Sequence, residues 1–237
     1  MAFFLIPNTS GTYTVGGSGN SYLLRDGYYI GASGAGILAN GTNTNNDYTI
    51  DGYVIAGANS AAIQLSGTSG TITYTNNIYV GVNGVLNGGY GIYVSEDRLE
   101  LENHGLIVGE NIDGIFLNLT DVADHSILNT GSITGSQDGI DCRSQGLEVQ
   151  NTGTIIAENR GIHTENGASI INTGLISSGS ATIDISGTGS NYIRNTGDLS
   201  SDNSDVIVLD GEYNRIVNTS TGNIVADDGS SDHGVFN

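Results

Sequence analysis

Residues 151–179, NTGTIIAENRGIHTENGASIINTGLISSG, carry the triplet Asn-Thr-Gly twice, with Gly161-Ile162-His163-Thr164 between the copies. Sliding that Asn along the chain recovers a register: Asn103 (NHGLI), Asn129 (NTGSI), Asn151 (NTGTI), Asn172 (NTGLI), Asn195 (NTGDL) and Asn218 (NTSTGNI). Upstream, Asp26 (DGYYI), Asp51 (DGYVI) and Asn76 (NNIYV) are expected to continue it. The spacing stays between 21 and 27 residues, so the chain reads as a single repeat array, the pattern of a solenoid.

Each unit contains three short extended segments. The first follows the Asn, as in Ser132-Ile133-Thr134 or Thr154-Ile155-Ile156. The second is a Gly-Ile block, at Gly36-Ile37, Gly91-Ile92, Gly114-Ile115, Gly139-Ile140 and Gly161-Ile162, varied to Thr182-Ile183 and Val206-Ile207 and ending at Gly234-Val235. The third precedes the next Asn, at Thr71-Ile72-Thr73-Tyr74, Arg98-Leu99-Glu100-Leu101, Leu147-Glu148-Val149-Gln150 and Tyr192-Ile193-Arg194. Alternating polar and apolar residues, β-branched enrichment and Gly, Asn, Asp or Ser between segments predict strands throughout. Three strands per unit predict an all-β parallel β-helix of about nine coils, each strand bonded to its equivalents roughly 4.8 Å above and below. The repeats occupy residues 26–237, and residues 1–25 form an N-terminal strand, a cap or an inter-subunit segment. Stacked Asn side chains can bond to one another in a ladder. The following Gly answers either to a left-handed corner or to one too closely packed for a Cβ.

Composition limits the function. The 237 residues include 37 Gly, one Pro and no Trp, with 25 acidic residues against six basic ones, all Arg, for a net charge of −19. Such a surface repels nucleic acid and anionic membrane. The single cysteine, Cys142, forms no internal disulfide and falls at an inward position. The opening MAFFLIPN lacks the basic start and cleavage site of a secretory signal, and no apolar run is long enough to insert into a membrane.

The NTGxI…GIxx…xxIxN pattern resembles the right-handed parallel β-helix of pectate-lyase-like proteins. It is most similar to degenerate repeat regions of bacterial exoproteins, such as autotransporter passengers, haemagglutinin-like adhesins and type I-secreted proteins. The likeness covers about residues 26–237 and implies an extracellular or cell-surface location in bacteria. It is specific for fold and weak for function, since this architecture hosts lyases, hydrolases, adhesins and stalks.

With the Ile of the Gly-Ile strand inward, the next residues face outward in two columns: Tyr93, Phe116, Asp141, His163, Asp184, Val208, and Ser95, Asn118, Arg143, Glu165, Ser186, Asp210. Asp141, His163 and Asp184, with Arg143 and Glu165, are either an acid–base site for a glycosidic bond or a charge-compensated exposed ladder. Tyr93 over Phe116 is either a platform for a surface polysaccharide or a structural aromatic pair. Asp113, Asp138, Asp205 and Asp232 recur in the turn before the Gly-Ile strand. With Asp227 and Asp228, Asp232 makes a candidate Ca²⁺ site, against the alternative of solvated turn carboxylates. His104 and His125 fall in turns without a partner pattern.

The ends complement one another. Phe3, Phe4, Leu5 and Ile6 read as a third-type strand, whereas Val235 and Phe236 belong to a second-type strand with no third strand after it. Either the first strand of one molecule completes the last coil of another, giving a head-to-tail homopolymer, or Phe3 to Ile6 cap their own end and the protein continues beyond Asn237. The expected function is a non-enzymatic structural or adhesive solenoid that associates with itself. The alternative is a carbohydrate-active module at Asp141, His163 and Asp184.

Overall fold

The computed structural model describes residues 1–41, 45–67, 75–95, 98–118, 122–187, 189–227 and 234–236. Among them every regular element is a β-strand, and every strand pairing is parallel. Three sheets of ten, nine and ten strands form the faces of a parallel β-solenoid, close to the nine coils expected. The first sheet runs from Phe3–Leu5 to Arg215–Asn218, the second from Tyr29–Gly31 to Asn223–Ala226, and the third from Tyr13–Thr14 to Val235–Phe236. No described helix is long and apolar enough to cross a membrane.

Alternation along each strand supplies the core. In Arg98–Asn103 the residues Leu99, Leu101 and Asn103 turn inward, while Glu100 and Glu102 turn out. Stacking then repeats each inward position along the axis. One column runs Tyr48, Ile78, Leu101, Ile127, Val149, Ile170, Ile193, Ile216. At its N-terminal end the rings of Phe4, Tyr22 and Tyr48 stack with centroids 5.2 and 5.6 Å apart. Strand pairing already includes Phe3–Leu5, which lies in register on Ser21–Leu24 rather than folding across the end. Ile6 is buried in this first coil, so the apolar surface at that end comes from Phe3, Phe4 and Leu5.

The Asn ladder extends from Asn103 to Asn218. Each Nδ2 donates to the next Oδ1 at 2.7, 2.7, 2.8, 2.8 and 2.9 Å. The same amide gives its second hydrogen to a backbone carbonyl, as Asn151 does to Leu175 O at 3.1 Å. Five members are fully buried, and Asn218 at the end is exposed. The Gly after the corner is required by packing: Gly131, Gly153, Gly174 and Gly197 lack a positive φ, but a Cβ on any of them would strike the carbonyl of the Gly or Thr one coil earlier.

Upstream, the expected register is corrected. The residues stacked on Asn103 are Val80, Ile50 and Leu24, so apolar side chains fill the corner there. Asp26 is two residues and Asp51 one residue past that column, and Asn76 pairs with Leu99 near the start of the strand. The similarity of DGYVI to NTGxI hid the shift. Asn76 instead belongs to a second polar column missed in the sequence. Asn20 Oδ1 accepts from Ala2 N at 3.0 Å, Asn46 Oδ1 from Asn20 N at 2.9 Å, and Asn76 Oδ1 from Asn46 N at 3.1 Å. Further along, Asn191 Oδ1 accepts from Ala168 N at 2.9 Å. His125 occupies the same column and is not in a turn: it is buried in strand Val122–Asn129, with Nδ1 accepting from Leu99 N at 3.1 Å. Burial, with the charge of Arg98, pushes its pKa down to about 4 and keeps it neutral. Segment Thr71–Tyr74 lies outside the described residues.

Asn151 offers a direct test of the ladder. Asn151→Ala orphans buried groups on Asn129 and Asn172, at about 1–3 kcal/mol each, whereas Asn218→Ala at the exposed end should cost under about 1 kcal/mol. Urea unfolding followed by circular dichroism should show this order.

Candidate functional site

The outward face of the third sheet follows the sequence register. Tyr93, Phe116, Asp141, His163, Asp184 and Val208 stack as direct partners on successive strands. The second column follows, with the amides of Arg143, Glu165 and Ser186 bonded to Leu117, Cys142 and Thr164 of the preceding coil. Phe116, Asp141 and His163 are nevertheless buried, so the expected exposed ladder is corrected. The long side chains of the neighbouring coils cover them, and Glu165 and Ser186 remain exposed.

Asp141 is the hub of the buried part. Its Oδ1 meets His163 Nδ1 at 2.8 Å and its Oδ2 accepts from Arg143 Nε at 3.2 Å. Burial alone would raise the Asp141 carboxyl. The hydrogen bond and charge of His163, with Arg143 and Arg160, outweigh that effect and hold it below the usual carboxylate range. Arg143 also lies over the Phe116 ring, 4.8 Å from its centroid, and Tyr90 and Tyr93 pack against the same ring at 5.5 Å each.

A second knot forms one turn away. Arg160 binds Asp138 through Nε at 3.1 Å and Nη2 at 2.7 Å, and reaches Asp184 through Nη1 at 3.2 Å. Asn159 also donates to Asp138, at 3.0 Å. Asp113 accepts from the Asp138 amide at 3.0 Å. These turn carboxylates are buried, not solvated. Burial, with the charges of Asp138 and Asp141, pushes Asp113 up to about 7 against the opposing hydrogen bond and Arg143.

The ligand atoms of Asp138, Asp141 and His163 lie within 4.8 Å of one another, the one such group among the described residues. Arginine already supplies the countercharge: Asp138 is engaged by Arg160, and Asp141 by Arg143 and His163. A cation would have to displace guanidinium groups, so the donor set fits an ion-pair network better than a metal centre. Of the residues proposed for Ca²⁺, Asp227 is exposed, and Asp228 and Asp232 lie outside the described residues. Cys142 is inward and fully buried, and burial pushes its thiol pKa up. His104 bonds Glu102 and Thr130 at 2.6 Å each. Glycoside hydrolysis needs a proton donor and a carboxylate that both face the substrate. Here Asp138 and Asp141 are buried and paired, and Asp184, half-buried, is held by Arg160 at 3.2 Å. Comparison of the chain with protein-family models, curated proteins and solved structures finds no match.

Asp113 sets a pH dependence. Its folded pKa is raised above that of an unfolded aspartate, so its contribution is fully present below about pH 4 and is lost as pH rises through about 7. Asp113→Asn, which keeps the acceptor for the Asp138 amide, should flatten thermal stability across that window and raise the midpoint above pH 7. A variant whose pH profile overlays the parent would refute the assignment.

Proposed function

We propose that this protein is a structural or adhesive β-solenoid of the bacterial exterior, right-handed like the exoprotein repeats it resembles. It works by associating end to end into filaments, layers or a matrix. The condition of the last coil carries this reading. Interior inward residues such as Ile193 and Leu199 are fully buried. Their successors Ile216 and Ile224, with Ala226 stacked on the buried Ser201, pack on the core but stay half-buried, and Val235, stacked on the buried Ile207, exposes 41% of its surface.

The backbone supports the same reading. Arg215, Thr219, Asn223 and Asp227 donate to Asn191, Asn195, Gly197 and Ser201 of the preceding coil. In a parallel ladder the residues between them direct their N–H and C=O groups the other way, so Ile216, Asn218, Ile224 and Ala226 point toward the place of a further coil. Phe3–Leu5 belongs to the same sheet as Arg215–Asn218. Laid on that strand, the first strand of a second copy would put Phe4 over Ile216 and continue both the hydrogen bonds and the apolar column. The contact is heterologous and does not close, which is the geometry of a fibre. Like charge opposes it, so screening by salt should favour it.

Negative-stain microscopy and sedimentation velocity test the proposal. The parent should form rods longer than one molecule, increasingly with ionic strength. Ala226→Pro removes an outward N–H while sparing the bonds to the preceding coil, and should leave single rods with unchanged β-sheet circular dichroism. Dispersed parent molecules at every ionic strength would refute end-to-end association.

A further inference from the structure

We propose that Ser186 is an acylatable nucleophile, served by His163 as base and Asp141 as positioning residue, and that this face cleaves carboxylic esters that carry no negative charge. The inference is independent of end-to-end association, since it uses the lateral surface of the third sheet. Three successive coils supply the three groups. Asp141 Oδ1 lies 2.8 Å from His163 Nδ1, and His163 Nε2 lies 3.5 Å from Ser186 Oγ. The buried carboxylate fixes the tautomer: with the Nδ1 proton held by Asp141, Nε2 presents its lone pair to the Ser186 hydroxyl.

The burial gradient suits this assignment. Asp141 and His163 are both buried, so the imidazole is held in place, whereas Ser186 is exposed and open to a substrate. The Ser186 amide bonds to Thr164 O at 3.1 Å, which fixes the side chain's origin one coil past His163 and diagonal to it. The 3.5 Å separation is long for a ground-state hydrogen bond, and such contacts commonly shorten when substrate binds. Glu165 and Asp210 flank Ser186 in its own column, and Asp184 stacks on His163. These neighbours select against anionic esters. Nothing else in the ion-pair network requires Nε2 to face a hydroxyl.

The reaction balances without a cofactor. Ser186 Oγ bonds to the ester carbonyl carbon as its proton passes to His163 Nε2, and the carbonyl π electrons move to oxygen. The tetrahedral adduct collapses, the C–O bond to the alcohol breaks, and the leaving oxygen takes the proton from Nε2. Water then attacks the acyl-Ser186 by the same route, releasing the carboxylic acid and restoring the hydroxyl.

The test is labelling of the intact chain with a fluorophosphonate, mapped by mass spectrometry, beside hydrolysis of p-nitrophenyl acetate. One adduct at Ser186 is expected, absent in Ser186→Ala, a surface change that leaves thermal unfolding untouched. His163→Gln should slow labelling about 10²-fold, the usual contribution of a general base. Asp141→Asn should lower kcat with KM unchanged. Should His163→Gln fail to fold, Ser186→Cys keeps the base in place: the introduced thiol should react with iodoacetamide faster than free cysteine while buried Cys142 stays unmodified. No adduct at Ser186, labelling that persists at the parental rate in folded His163→Gln, or an introduced thiol no faster than free cysteine would overturn the proposal.

Discussion

Each interior side chain in this solenoid sits between two residues of its own column, one coil before and one coil after. That constraint comes from the parallel ladder, in which every strand takes its hydrogen-bond partners from the neighbouring coils. A residue is therefore acceptable where its equivalents one coil away tolerate it. Isoleucine succeeds at inward positions because a β-branched side chain packs on its own kind on a pleated surface. Asparagine succeeds at the corner because its amide donates and accepts along the same axis, so a buried column of amides satisfies itself. Glycine follows because the carbonyl of the preceding coil occupies the space a Cβ would need.

Stability in such a stack is approximately a sum of coil terms and nearest-neighbour interfaces, which explains why surface positions drift and interior columns do not. It also explains why the last coil differs from the others with no change in its chemistry. Ile216 and Ile224 are the same kind of residue as Ile193 and Leu199, but among the described residues they have a stacked neighbour on one side only. Their half-burial follows from having one described neighbour in the column in place of two.

The lateral face of the third sheet follows the same rule with charged residues. Stacking places Asp141, His163 and Asp184 on neighbouring coils, where unlike charges and donor–acceptor pairs are needed for the column to hold. Arg143 and Arg160 extend from the adjacent turns and outward positions and close over the carboxylates. Asp138 and Asp141 lie buried beneath them, and protonation moves in opposite directions on this face: burial raises Asp113, and His163, Arg143 and Arg160 lower Asp141. The same closure leaves Ser186 as the exposed group beside a buried imidazole.

The sequence by itself determined the array, the three strands per coil, the Asn ladder from Asn103 to Asn218 and the order of the outward columns around Asp141, because periodicity and alternation are one-dimensional properties. It misplaced Asp26, Asp51 and Asn76, since a corner filled by Leu24, Ile50 and Val80 carries no polar marker and a DGY motif imitates one. The column of Asn20, Asn46, Asn76 and Asn191 was present as an Asn two residues before an inward Tyr or Ile, a signal overlooked beside the more frequent NTG. Only the tertiary structure decided burial. Whether Asp138 and Asp141 face water depends on where Arg143 and Arg160 lie, and whether Phe116 offers its ring depends on the guanidinium above it. Those are contacts between side chains of different coils, and their geometry is fixed by rotamer and stacking rather than by spacing along the chain.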